Sequence, residues 1–317
     1  MGVYDVIIVG AGPAGLSCAL HADGKVLILE KERSPYRKIA CAEWVPPDFD
    51  APSVQKTRKM ITEYPGGRAV TSFAGKVIDR EKWQSELLGR LKCEVHLGEK
   101  VLWVRDDVVK TDRGFYRARW IVGADGPLSS VRRSFRGEKE RFLPAVNVRL
   151  PLLKPMDETL IFFRDEFRGG YGWCFPRGET ANVGVGMYGP IMQGLNLLIK
   201  VLLTRGLVED RRLSFSAGLI PLFGLRSRIS RNVILVGDAG GFTDPLTGAG
   251  IASAWDAGKL AARVVNGDLS ANDYDKIIGR TYGGFLRRRY EKRVILEERW
   301  KDLKRAVEES WIAFSRA

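Results

Sequence analysis

An Asp that ends an apolar β-branched run, ahead of a glycine-rich turn into a helix, can accept hydrogen bonds from sugar-alcohol hydroxyls. The amides of the following helix then favour an electron-rich group beside it. The segment Val233-Ile-Leu-Val-Gly237-Asp238-Ala-Gly-Gly-Phe-Thr-Asp-Pro-Leu-Thr-Gly248-Ala-Gly250-Ile251 has this form. Its strand ends at Val236, its turn is set by Pro245 and the glycines, and a helical pattern runs from Gly250 to Val265. The ribityl chain and pyrimidine edge of a flavin suit such a site. So does a plain strand-turn-helix corner in which Asp238 is a cap, and the choice falls to the rest of the chain.

The N-terminus supplies the partner motif. Tyr4-Asp-Val-Ile-Ile-Val-Gly10-Ala-Gly12-Pro13-Ala14-Gly15-Leu16 reads as a buried parallel strand, a G-x-G-x-x-G turn and a short helix to about Ala22. Gly10 permits the turn, Gly12 the close approach of a pyrophosphate, and Gly15 the packing of helix on strand. A second strand, Lys25 to Leu29, ends in Glu30-Lys31, and Glu30 lies the expected ~20 residues past the first glycine to bond ribose hydroxyls. An acid there favours an unphosphorylated ribose, FAD or NAD rather than NADP. A third strand end, Trp120-Ile-Val-Gly-Ala-Asp125-Gly126, again delivers an Asp-Gly pair to a helix start.

These three strand ends, in this order, resemble the FAD-binding domain of the para-hydroxybenzoate hydroxylase type of flavoprotein. The resemblance implies that Asp238 reaches the ribityl chain and that the helix beginning near Gly250-Ile251, behind Gly248, points at the isoalloxazine. It implies that Asp125 holds the loop beside the pyrophosphate, that Arg80 contacts FAD, and that Val101 offers adenine a backbone contact. Pro13, Ala14, Lys31, Gly126 and Gly237 complete the expected cofactor shell.

Two further motifs narrow the resemblance. Tyr171-Gly-Trp173-Cys-Phe175-Pro176 matches the Y-x-W-x-F-P motif of geranylgeranyl reductases, and Lys38-Ile-Ala-Cys41-Ala42 is similar to their cysteine-containing segment. Alternation on an extended chain sets Tyr171, Trp173 and Phe175 on one face, an apolar wall that an isoprenoid needs. Pro176 and Trp44 are assigned to the same substrate site. Cys41 and Ala42 are expected beside the flavin, with Cys41 the candidate catalytic residue. The resembled family's cysteine is usually followed by one or two glycines, whereas this chain reads Cys41-Ala42-Glu43-Trp44, so Trp44 is expected to fill space that substrate or flavin occupies in relatives. The implied activity is FAD-dependent reduction of C=C bonds in a geranylgeranyl or other polyprenyl chain, with NADPH or a ferredoxin-like protein as electron donor. Flavin-dependent halogenases carry a similar aromatic segment, but their lysine has no match here. Aromatic hydroxylation on the same scaffold and non-catalytic binding of a prenyl lipid stay open as alternatives.

Composition bounds the rest. The 317 residues suffice for a cofactor domain and a substrate domain. The four cysteines, Cys18, Cys41, Cys93 and Cys174, lack C-x-x-C spacing, and with only His21 and His96 beside them neither a metal site nor a disulfide framework is expected. Cys18 falls on the first helix and Cys93 on an apparent strand. No signal peptide or membrane-spanning stretch is read, so the enzyme is expected in the cytoplasm, either free or peripheral on the inner membrane face. Leu195 to Leu203, interrupted by Lys200, is a core or tunnel helix. The net charge of +13 is densest at Arg287-Arg-Arg-Tyr-Glu-Lys-Arg293 and on to Arg305, a helix read either as a solvated, ion-paired face or as a patch for anionic lipid. No nucleic-acid module accompanies the charge.

The chain therefore reads as an α/β protein with a discontinuous Rossmann-like FAD-binding domain at 1–45, 76–133 and 229–267. An antiparallel-sheet substrate domain takes 46–75 and 134–228, and a helical C-terminal region takes 268–317. Within these, the proline-bearing stretch Pro46 to Gly75 reads as an irregular excursion. Asp79 reads as the N-cap of a helix, and Glu94 to Gly126 as short strands with turns at Asp106-Asp107 and Asp112-Arg113-Gly114.

Overall fold

The computed structural model describes residues 3–37, 39, 41–135, 140–225 and 229–314. The chain divides into two compact units, one of residues 1–37, 84–141 and 221–289, the other of 38–83, 142–220 and 290–317.

The first unit is built on a sheet ordered Ile229–Ser230, Val233–Leu235, Phe115–Gly123, Val3–Val9, Val26–Glu30, Glu94–Leu97. From Val233–Leu235 to Glu94–Leu97 every pairing is parallel. The unbroken apolar runs are what a parallel sheet covered on both faces requires, and Val6, Ile7, Ile8, Leu27, Ile28, Ile121 and Val122 are fully or almost fully buried. The meander Val101–Arg105 and Val108–Thr111 pairs antiparallel onto the start of Phe115–Gly123. Helices Pro13–His21 and Ile251–Val265 pack together so closely that a Cβ on Gly258 would stand 2.1 Å from the Ala14 carbonyl oxygen. The Ser17 hydroxyl donates to the Trp255 carbonyl across that seam, at 2.7 Å.

The second unit holds another eight-stranded sheet, ordered Ser214–Pro221, Phe142–Pro151, Thr180–Gly186, Tyr171–Arg177, Glu158–Phe162, Ser53–Tyr64, Gly67–Ile78, Trp44–Val45. It is not wholly antiparallel, because Glu158–Phe162 runs parallel to Ser53–Tyr64. The stretch read as irregular is in fact a long hairpin of two 12-residue strands. Its prolines misled because they bound the strands rather than interrupt them: Pro46, Pro47 and Pro52 precede the first strand, and Pro65 sits in the Pro65-Gly66 turn. Helix Ile191–Thr204 buries Leu195, Leu198, Ile199 and Leu202 in a core shared with Val148, Cys174, Val183 and Val185.

Two local readings are corrected. Cys93 lies at a bend just ahead of strand Glu94–Leu97 and not on it. The basic C-terminal run is not one helix: Gly284–Glu298 gives way to the turn Trp300–Asp302 and then to helix Leu303–Ser310. The Asp302 carboxylate, accepting from the Arg305 amide at 3.3 Å, caps the second helix and stops the first from continuing.

Candidate functional site

The three fingerprint glycines differ in what demands them. Gly10 has φ +97°, and a Cβ there would stand 2.4 Å from the Ala124 carbonyl oxygen; one on Gly15 would stand 2.0 Å from the Gly10 carbonyl oxygen. Both are fixed by the protein's own packing. A Cβ on Gly12 would meet nothing within 4 Å, although Gly12 caps helix Pro13–His21 with no side-chain acceptor. The open cradle at a helix N-terminus is what the pyrophosphate of FAD needs, so the residues present fit the cofactor.

Glu30 is buried, its Oε2 accepts from the Ala11 amide and its Oε1 from the Glu32 amide, each at 2.8 Å. It therefore shapes the turn, and each oxygen keeps a lone pair for ribose hydroxyls. Tyr36, which the sequence reading passed over, donates its hydroxyl to the Ala11 carbonyl at 2.8 Å and braces the same turn. Lys31 is exposed beside Glu30. Val101 opens its strand with its side chain in the core, pairing with Thr111.

Asp125 accepts from the Ser129 hydroxyl at 2.6 Å and from the Ser130 and Val131 amides at 2.7 and 3.2 Å. Burial pushes its carboxyl above the usual carboxylate range, against these hydrogen bonds. The following Gly126 takes φ +77°. Arg132, unassigned by the sequence, is the buried brace between this loop and the Gly237-Asp238 turn. It donates to the Pro127 carbonyl at 2.6 Å, the Ala239 carbonyl at 2.9 Å and the Glu140 carboxylate at 2.6 Å. Its guanidinium also lies 4.8 Å from the Phe223 ring centre.

Gly237 has φ +57°, and a Cβ on it would lie 3.2 Å from that of Ala14, so the two strand-end turns meet. The Asp238 carboxylate accepts from the Thr243 hydroxyl. Asp244, a second residue the sequence reading missed, is buried and organises the turn beyond. It accepts from the Leu246 amide at 2.9 Å and the Thr247 hydroxyl at 2.8 Å, with Arg289 at 3.2 Å. Gly248, at φ +72°, donates to the Asp244 carbonyl, and Gly250 caps helix Ile251–Val265 with no side-chain acceptor. Gly10 to Gly15, Glu30, Asp125-Gly126, Gly237-Asp238 and Gly248 to Ile251 thus belong to one unit, while Cys41, Ala42 and Arg80 belong to the other.

In the second unit the aromatic strand is central. Cross-strand register sets Tyr171 beside Gly186, Trp173 beside Gly184 and Phe175 beside Asn182, all on one face. Tyr171 lies 6.1 Å from Trp173, 5.7 Å from Phe163 and 5.0 Å from Trp311, ring centre to ring centre. Trp311 is 1% exposed and donates to the Thr62 hydroxyl at 3.0 Å, so the C-terminal helix roofs the Tyr171 end of the wall. Trp173 leans over Gly184, where a Cβ would stand 2.3 Å from its ring, and donates to Asn147 at 3.0 Å. Pro176 is corrected: alternation turns it to the opposite face, where it is buried beside Ala181. Trp44 fills the space above Gly75, stacked 4.3 Å from Phe73 and donating to Thr57 at 3.0 Å.

Cys41 is half-buried, and its Sγ accepts from the Glu43 amide at 3.2 Å; Lys38 and Ala40 lie outside the described residues. Glu43 itself has φ +64°, a left-handed conformation that favours glycine. Its buried carboxylate is held there by Arg177 at 2.9 Å, Asn182 at 2.9 Å, the Arg80 amide at 3.1 Å and Arg149 at 3.4 Å. Asn182 also donates to the Ala42 carbonyl at 3.1 Å, so one cluster pins the cysteine segment. Arg177 reaches Asp79 at 2.6 Å. Burial pushes the Asp79 carboxyl up, but the Lys82 amide and Arg177 together hold it below the usual range. Burial raises the Cys18 and Cys174 thiols to about 12. Among the described residues no group of His, Cys, Asp and Glu could hold a metal ion, and no helix is long and apolar enough to cross a membrane.

Residues 5–43 match the family model described as FAD binding domain. The digeranylgeranylglycerophospholipid reductase of Methanosarcina mazei is 30% identical across 85% of this chain and 77% of its own length. That of Methanococcus vannielii is 28% identical across 86% and 79%. A solved geranylgeranyl bacteriochlorophyll reductase-like protein from Thermoplasma acidophilum shares the fold, with TM-score 0.82, 22% identity and coverage of 98% of this chain and 97% of that one. FAD is the cofactor of such a chain, and the protein belongs to the family of the digeranylgeranylglycerophospholipid reductases.

Proposed function

We propose that the protein is an FAD-dependent reductase that hydrogenates C=C bonds in a geranylgeranyl or other polyprenyl chain of a lipid or lipid precursor. The observation that carries the reading is the aromatic face of Tyr171, Trp173 and Phe175 in a chain whose relatives are named as prenyl-phospholipid reductases. Gly10, Gly12, Pro13, Ala14, Gly15, Glu30, Lys31, Val101, Asp125, Gly126, Gly237, Asp238, Gly248, Gly250 and Ile251, all of the first unit, would hold the cofactor. Bound FAD supplies the hydride-transfer chemistry.

The remaining work falls to the chain. Gly12 and the capping glycine Gly250 leave backbone, not side chains, at two helix N-termini, which suits anionic and electron-rich groups. The aromatic wall excludes water and aligns an isolated alkene, a poor hydride acceptor that gains much from fixed geometry. Cys41 Sγ, held in place through Glu43 and Asn182, is the candidate for handling a proton at the reacting carbon. NADPH or an acidic ferredoxin-like protein would supply electrons, and a lipid substrate would be met at a membrane surface.

The test is an anaerobic half-reaction. Reduced enzyme given a geranylgeranyl lipid is expected to reoxidise its flavin and to yield product heavier by two hydrogens per bond. Reoxidation by oxygen alone with a hydroxylated product would overturn the reading in favour of a hydroxylase, and no reoxidation by the lipid would leave a binding protein.

A further inference from the structure

The basic C-terminal helices are poorly placed to meet anionic lipid, because much of their charge is already neutralised. Arg293 is 1% exposed and donates to the Gly169 carbonyl and to Glu297; Arg299 and Arg305 pair with Glu309, Lys304 with Glu308, and Arg289 with Asp244. A different surface carries unburied apolar side chains beside cations. In the meander of the first unit Trp103, Lys110 and Phe115 stand in direct register across three strands, and Arg105, Val108, Arg117 and Val3 form the next row. The opposite face of the same strands puts Val104, Val109 and Ala118 into the core, so this one faces outward.

Outward position alone would explain polar residues, not these. Trp103 is 39% exposed, Phe115 47%, Leu102 46% and Val3 60%. A register shift between Val101 and Trp103 turns the consecutive Leu102 and Trp103 outward together, on an edge strand where exposed apolar side chains invite aggregation. Single exposed hydrophobics are ordinary, but contiguous ones mark a contact surface. Here Trp103 and Phe115 lie 6.2 Å apart, Lys110 Nζ sits 4.0 Å from the Phe115 ring centre, and the Arg105 guanidinium 5.7 Å from that of Trp103. Asp107 pairs with Arg117 and Asp106 with Arg231 at the rim.

We propose that this face docks on an anionic lipid bilayer, with Leu102, Trp103 and Phe115 entering the interfacial layer and Lys110 and Arg105 meeting the headgroups. Aromatic rings with a cationic fringe are the composition that settles at the boundary between headgroup and acyl chain. A net charge of +13 complements a negative surface. The choice of a bilayer as occupant rests on the prenyl-lipid reading of the substrate.

The experiment is flotation of the FAD-loaded protein with vesicles of equal parts phosphatidylglycerol and phosphatidylcholine, alongside activity on detergent-dispersed substrate. Wild type is expected to float with these vesicles, to release as salt rises, and to ignore pure phosphatidylcholine. The double variant Trp103→Ala, Phe115→Ala is expected to bind at least about tenfold more weakly, and Lys110→Gln about fivefold. Both should keep detergent activity and thermal midpoint, since the altered side chains are on the surface. Wild type that reduces dispersed substrate yet never floats would overturn the docking proposal and leave the catalytic one standing. Unchanged binding by both variants, or loss of binding only in Arg287→Glu, Arg288→Glu on the C-terminal helix, would also overturn it. So would a concentration-dependent dimer, or capture of an acidic redox protein, that the double variant abolishes while vesicle binding persists.

Discussion

At the scale of single residues the fingerprint glycines separate into two that the protein's own packing demands and one, Gly12, that it leaves open. Gly15→Ala drives a methyl against the Gly10 carbonyl oxygen and should cost about 1–3 kcal/mol of stability, read by denaturant unfolding of the apo-protein. Gly12→Ala adds its methyl to open space, so the unfolding curve should stay put while flavin retention on gel filtration falls. Glu43 shows the opposite case, a side chain that overrides its backbone preference. Glu43→Gln leaves Arg177 and Arg149 without their shared carboxylate and should destabilise by about 3 kcal/mol. It should also speed alkylation of Cys41 followed by peptide mass mapping, because the cysteine segment loses its pin. Unchanged alkylation would deny the cluster that positioning role.

Elements act here through what fixes their ends. Strand Tyr171–Arg177 ends on Arg177, and helix Arg80–Gly89 starts behind Asp79, so the ion pair between them ties the aromatic wall to the helix start. The Asp79 carboxyl is held below its ordinary value of 3.8, so its contribution is complete above that value and is lost as the pH falls through the lower, folded one. On acidification across that window the thermal midpoint of the wild type should fall more steeply than that of Asp79→Asn. The two slopes should coincide at neutral pH. Between the strand-end turns Arg132 is the equivalent fastening, and its planar fork meets three acceptors that a lysine cannot reach together. Arg132→Lys should therefore fold but release FAD more readily, measured as a raised Kd by flavin fluorescence.

For the molecule as a whole, the residues proposed to hold FAD come from three separate chain segments of the first unit, so its removal should be felt there first. At a free concentration a hundredfold above Kd the cofactor contributes about 2.7 kcal/mol. Hydrogen exchange in Val3–Val9 and Val233–Leu235 should accelerate on its removal, well beyond that in Tyr171–Gly186. The strand-end turns are legible in the sequence alone, because glycine at a positive φ and an acid at a strand end are local demands, met within a few residues of Gly10, Glu30, Asp125 and Gly237. The sequence determined the central parallel sheet for the same reason, since strands covered on both faces must be apolar throughout. Tertiary structure alone decided the rest. The hairpin Ser53–Ile78 mixes polar and apolar residues and takes its register from partners such as Glu158–Phe162, which no local pattern names. Arg132, Asp244 and Glu43 acquire their roles from carbonyls, cations and amides distant in sequence, so their spacing carried no signal. Trp311 completes the aromatic wall from far along the chain, because what packs against a strand face is not written in the strand. Burial and long-range pairing are properties of the assembled chain, whereas turn chemistry belongs to the residues that make the turn.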